Sequence, residues 1–169
     1  MSEENMTPLK VGLKYGGYVA LASIALTFFA FFFDDDKIET GTIDLIADIG
    51  ILVLTFLITF IGVRVYRNHN EGFLTFGEAM GTSIFIALFS GIIIAIFSYI
   101  YFTHIDPQWS EIIVDQIDYD EMPSDEAEVA RRGAEVIGSP FFLAMMSFMA
   151  SIIMGLIYGV ISGAILRKG

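Results

Sequence analysis

The chain has 169 residues, 55% of them hydrophobic, no cysteine, and a formal net charge of -11. Its mean hydropathy of +0.68 lies well above that of an average soluble domain, so water is not its main solvent. The missing cysteines exclude disulfides, thiolate metal sites and cysteine nucleophiles.

Apolar runs of about 20 residues match the thickness of a bilayer, and four such runs predict four spanning helices. The first, 11–33, carries a single charge, Lys14, close enough to its start to snorkel back to the headgroups. Thr7 and Pro8 supply an N-cap and a first-turn proline. Phenylalanines load the far end, and Asp34, Asp35 and Asp36 stop it. The run is too long, and its end too rich in rings, for signal-peptide cleavage, so it is expected to remain as an anchor.

The second run, 45–63, has Asp44 before it, Asp48 in its first turns, and Arg64 and Arg67 after it, a charge order that suits the helix dipole. Thr75-Phe76-Gly77-Glu78 then reads as a capping box opening a third span, 76–103, which Asp106-Pro107 ends. Gly138-Ser139-Pro140 opens the fourth, 140–166, finished by Arg167-Lys168.

The first two connections are short and predict antiparallel neighbours. The third, 104–139, is long. Trp109, Ile112, Ile113 and Ile117 form a greasy stripe on a short helix suited to the membrane surface. After Ser124 a second piece places Ala127, Ala130, Ala134 and Ile137 on one face with charges elsewhere. The expected fold is all-α: a single transmembrane domain over 1–169, an integral membrane four-helix bundle with a short amphipathic, acidic extracytoplasmic cap between spans three and four.

Four spans put the N-terminus, the 64–78 segment and the C-terminus on one side. That side holds Lys10, Lys14, Arg64, Arg67, Arg167 and Lys168, against Lys37, Arg131 and Arg132 on the other, so it is expected to be cytoplasmic. Of the acids, Glu3, Glu4, Glu71 and Glu78 fall inside, leaving sixteen of twenty outside. The acidic surface is then extracytoplasmic, hydrated or screened by cations.

Helices in lipid gain little by hiding apolar side chains, so small residues that let backbones approach bring them together. Ser147, Ser151, Gly155, Gly159 and Gly163 recur every four residues; Gly12, Gly16 and Ala20 repeat the pattern in span one, and Gly77 and Gly81 in span three. These are the candidate packing residues. They serve contacts within one chain or between two copies, and the within-chain use is the simpler expectation.

Ionisable residues within a span are the natural functional candidates. Asp48, Glu78 and Asp106 are the candidates for polar or ion contact, yet Asp48 and Glu78 lie in first turns and read more simply as helix-start acids. No charge falls at mid-membrane, which disfavours a pump or coupled transporter. His69 and His104 belong to opposite faces and cannot share a metal. There is no phosphate loop, serine elbow, HExxH pattern or calcium loop, so no enzyme activity, metal or cofactor is expected. Asp106 and Glu111 flank Trp109, an arrangement commonest in an aromatic interface anchor. Arg64, Tyr66 and Arg67 form a basic-aromatic collar of the kind that anchors headgroups, and no basic patch is large enough for nucleic acid.

Several segments together carry a resemblance: Leu9 to Gly16 (LKVGLKYG), Arg64-Val65-Tyr66-Arg67, Gly72 to Ala79 (GFLTFGEA), Ile105-Asp106-Pro107, and the tail Ser162 to Lys168 (SGAILRK). In order and spacing the chain resembles the bacterial domain-of-unknown-function family 4199 over nearly its whole length. The resemblance implies a small four-helix bacterial inner-membrane protein with no assigned activity and no catalytic residues to carry over. The expected role is structural or accessory, with lipid, a second copy through the glycine faces, or a membrane or periplasmic protein as partner. The alternative is an oligomeric passive channel or small-solute transporter.

Overall fold

The structure is a computed structural model that describes residues 6–33, 42–115 and 122–167. Glu3, Glu4, the Asp34–Asp36 run, Lys37, Ile117 and Lys168 lie outside the described residues, as do the side chains of Asp44, Glu111 and Ile113.

In chain order the elements are α1 (Pro8–Phe33), α2 (Thr42–His69), α3 (Phe76–Ile100), a π turn (Tyr101–Ile105), α4 (Gln108–Asp115), α5 (Ser124–Ile137) and α6 (Pro140–Leu166). All elements longer than one residue among the described residues are helical. Four segments are long and apolar enough to cross a membrane: Pro8–Phe33, Leu45–His69, Phe76–Ile105 and Pro140–Leu166. The shortest has 25 residues, about 37 Å at 1.5 Å per residue, against a hydrocarbon core of about 30 Å.

Only 22% to 33% of each span's apolar window is buried inside the protein. Leu21, Phe32 and Phe141 stand 66%, 72% and 66% exposed. In water such surfaces would drive aggregation, whereas in lipid they are the ordinary outer face of a helix whose backbone polar groups are satisfied internally.

Local chemistry sets the helix ends. The Thr7 hydroxyl accepts from the Lys10 amide at 3.3 Å, so α1 starts at Pro8 with its N-cap in place. The expected second run ends at Val63, but α2 continues to His69. Val63 and Tyr66 are buried core residues, so tertiary packing carries the helix beyond the point where its apolar run stops. The third helix loses its α register at Tyr101 and closes with one π turn, where the Asp106 amide reaches the Tyr101 carbonyl at 2.9 Å. Pro107 follows and prevents continuation.

The chain divides into two compact units, Met1–Ile94 with Phe148–Gly169, and Ala95–Ser147. The first is a four-helix bundle of α1, α2 and the greater parts of α3 and α6, with a core of Val11, Val19, Val63, Tyr66, Leu74, Ala79, Ile86 and Leu166. The second holds the end of α3, the π turn, α4, α5 and the first turns of α6; within it α4 packs on α5, and the Ser98 and Ser147 hydroxyls bond at 3.2 Å.

Candidate functional site: glycine seams and the Glu78 junction

Small residues pin the bundle at two seams. A methyl added at Gly12 would lie 2.7 Å from the Phe85 Cβ and 3.0 Å from its carbonyl carbon; at Gly16 it would lie 2.8 Å from the Ile86 carbonyl oxygen and 2.8 Å from the Phe89 Cβ. The α1 and α3 backbones therefore touch, which only glycine permits. On the other side of α3, Gly155 faces Ala87, Gly159 faces Met80 and Ser83, and Gly163 faces Phe76 and Ala79. Helix α3 is thus the shared wall of both seams.

Gly77 and Gly81 differ: a Cβ on either meets nothing within 4 Å. Two further contacts lie outside the glycine repeats. A Cβ on Gly62 would come within 2.8 Å of Ile86 and 3.0 Å of the Tyr15 ring, and one on Gly91 within 3.1 Å of Phe148 and of Ser151. Gly62 is an isolated glycine among large apolar residues, so no four-residue spacing marks it; Gly91 stands in a ladder of small residues, Ala79, Ser83, Ala87, Gly91 and Ala95, in which it is the single glycine.

The second feature is the α2–α3 connection. After His69 the chain turns through Glu71 and Gly72, both at positive φ, 52° and 84°. The Gly72 amide returns to the Arg67 carbonyl at 3.0 Å and satisfies an end group of α2. The Glu78 carboxylate then receives the Thr75 amide and the Thr75 hydroxyl, each at 2.8 Å, while the Glu78 amide donates to the Thr75 hydroxyl oxygen at 3.2 Å. This is the reciprocal capping box. Tyr66 and Asn70 donate to the other carboxylate oxygen at a longer 3.4 Å each, tying the end of α2 to the start of α3. Arg67 reaches the last turn of α6, its guanidinium donating to the Leu166 carbonyl at 3.3 Å. One end of the bundle is thereby stitched across three helices.

The interior also carries hydroxyls. Thr55 donates to the Ile51 carbonyl at 2.7 Å and meets the Tyr158 hydroxyl at 3.0 Å; Tyr158 also reaches the Leu52 carbonyl at 3.1 Å. With one proton each, the geometry is satisfied when Thr55 serves Ile51 and Tyr158 is shared between Thr55 and Leu52. The hydroxyls of Ser23 and Ser90 fold back onto their own helices. Those of Thr82, Ser83 and Ser162 are fully buried without a hydrogen-bond partner among the described residues.

Asp48 is exposed on α2, Glu78 is half-buried in its capping box, and Asp106 is buried in the Ala95–Ser147 unit. The structure brings Glu78 together with polar partners and leaves Asp48 at the surface. Among the described residues no three His, Asp or Glu side chains are grouped to hold a metal ion.

The four long apolar helices, with their outward hydrophobic faces, define the chain as an α-helical membrane protein. Residues 14–168 match the family described as "Protein of unknown function (DUF4199)". The chain belongs to that family. Neither a curated protein nor a solved structure matches it.

Proposed function

We propose that the protein is a non-enzymatic structural or accessory component of the bacterial inner membrane, with both termini cytoplasmic and an acidic cap, formed by α4 and α5, on the outer side. The carrying observation is the pair of glycine seams. With α3 in backbone contact with α1 on one side and α6 on the other, the bundle is closed by packing and leaves no room for a lumen along those contacts. The charge bias of the loops supports the orientation. The outer acids then present a hydrated anionic surface to cations or to a periplasmic partner.

The rival reading, a passive conduit built by several copies, draws on two observations. Hydroxyls recur on the buried faces of α3 and α6, at Thr82, Ser83, Ser90 and Ser162, and Gly77 and Gly81 leave a small-residue face with open space beside it. Flux through proteoliposomes separates the two. The structural reading expects ion and small-solute permeation no greater than in empty vesicles; robust flux that Gly81→Leu, on the open face, abolishes would replace it with the conduit. Orientation is checked by single cysteines at Asn68 and Glu126 in intact cells, where an impermeant thiol reagent is expected to label only the second.

A further inference from the structure

Helix α5 (Ser124–Ile137) has more apolar surface than the described residues cover. Ala134 is buried and Ala127 and Ala130 are half-buried, which defines the face turned toward its own unit. Charged residues occupy another arc, where Arg132 pairs with Glu128 and Arg131 with Glu135 one turn apart, with both pairs well exposed. Between these arcs, at 100° per residue, fall Val129, Gly133, Val136 and Ile137. Val129 is 72% exposed, Val136 61% and Ile137 50%. Three β-branched apolar side chains thus line a flank that neither the described residues nor the helix's own charges cover.

The chain itself indicates what lies beside that flank. Only Gly138 and Ser139 separate α5 from α6, so Ile137 and Pro140 are at most about 11 Å apart, three Cα steps. Hydrogen bonds hold the junction: the Gly138 amide donates to the Ala134 carbonyl at 2.8 Å, the Ser139 hydroxyl to the Val136 carbonyl at 2.7 Å, and the Phe142 amide to the Ser139 hydroxyl at 3.3 Å. Immediately beyond it, α6 turns Phe141 and Met145 outward, 66% and 51% exposed. Helix α6 is 27 residues long, about 40 Å, so its first turns reach the headgroup layer of a bilayer whose apolar core is about 30 Å thick. The Ile137 end of the flank, fastened within about 11 Å of that point, is within reach of the depth where amphipathic helices rest, about 5–10 Å into the boundary between headgroups and acyl chains.

We propose that α5 is an interfacial helix whose Val129–Val136–Ile137 flank is embedded in the lipid surface around the start of α6, with the Glu128, Arg131, Arg132 and Glu135 arc turned to water. The occupant is the bilayer itself. Glu126 lies on the same side as the flank in the first turn of α5, one turn before Val129, and limits the immersion to the C-terminal part of the helix. The inference rests on the reading of α6 as a membrane span.

Tryptophan quenching tests both separately. The chain's single tryptophan is first removed as Trp109→Phe, and one tryptophan is then placed at Val136, Val129, Arg132 or Phe141 in the full-length protein, in phosphatidylcholine vesicles. With acyl chains brominated near the headgroup, Phe141→Trp and Val136→Trp are expected to lose emission on the order of twofold, Val129→Trp less, and Arg132→Trp to respond to aqueous iodide alone. If Phe141→Trp is quenched by bromine while Val136→Trp and Val129→Trp answer only to iodide, or to neither quencher as in a protein contact, the interfacial placement is wrong and the span stands. If Phe141→Trp also answers only to iodide, the span fails and the placement with it.

Discussion

Replacing Gly16 by alanine adds one methyl group where the structure leaves no room for it. The new carbon would lie 2.8 Å from the Ile86 carbonyl oxygen, 2.8 Å from the Phe89 Cβ and 3.1 Å from the Ser90 amide nitrogen. Two of these neighbours are backbone of α3, which cannot rotate aside as a side-chain tip can. Restoring ordinary contact at about 3.5 Å requires α1 and α3 to part by roughly 0.7 Å. A gap of that size forfeits roughly a quarter to a half of the dispersion energy of the neighbouring contacts, Gly12 on Phe85 among them. Overpacking of this kind costs about 1–3 kcal/mol. Alanine also favours helix over glycine by up to about 1 kcal/mol, so Gly16→Ala alone would understate the clash. Gly81→Ala supplies the reference, because it makes the same intrinsic change in α3 with nothing within 4 Å. The difference between the two variants, measured by reversible unfolding in mixed micelles followed by circular dichroism, should be about 1–3 kcal/mol with Gly16→Ala the weaker. Equal stability would refute the argument that α1 and α3 meet through their backbones.

Gly72 has φ of 84° and open space around its Cβ position, so Gly72→Ala isolates backbone strain; thermal unfolding in detergent should show a loss of about 1 kcal/mol, and an unchanged midpoint would contradict the turn. Tyr158→Phe removes the hydroxyl shared by Thr55 and Leu52 and should cost about 0.6 kcal/mol, the scale of interhelical hydrogen bonds in membranes, with Thr55→Val adding little on top because the interhelical bond is already gone and the remaining Thr55 bond stays within α2. Ser162→Ala deletes a buried hydroxyl with no hydrogen-bond partner among the described residues, so the same assay should show unchanged or higher stability; a loss above about 1 kcal/mol would mean that the hydroxyl is satisfied after all.

Much of the architecture was legible because it follows from short-range rules. The apolar runs are long enough that no medium but lipid accommodates them, and Thr7, the Thr75–Glu78 pair and Ser139 mark three helix starts with local hydrogen bonds. The end of α2 was less visible. Arg64 and Arg67 interrupt its hydrophobic run, yet Tyr66 sinks into a core shared with other helices and Arg67 donates to Leu166, 99 positions away, so tertiary contacts decide where the helix ends. The same holds for the glycines. Four-residue spacing shows where small residues line a helix, but Gly16 and Gly81 look alike in sequence and differ entirely in what lies beside them.

The sequence by itself determined that the chain is helical, apolar enough to cross a bilayer four times, and punctuated by caps at defined residues, because hydropathy and capping act over a few neighbouring positions. Only the tertiary structure decided which glycines receive a neighbouring backbone, that Glu78 joins α2 to α3 through Tyr66 and Asn70, and which flank of α5 the described residues leave uncovered. Those outcomes depend on how each helix is rotated about its axis, and rotation is set by the summed packing of all its neighbours.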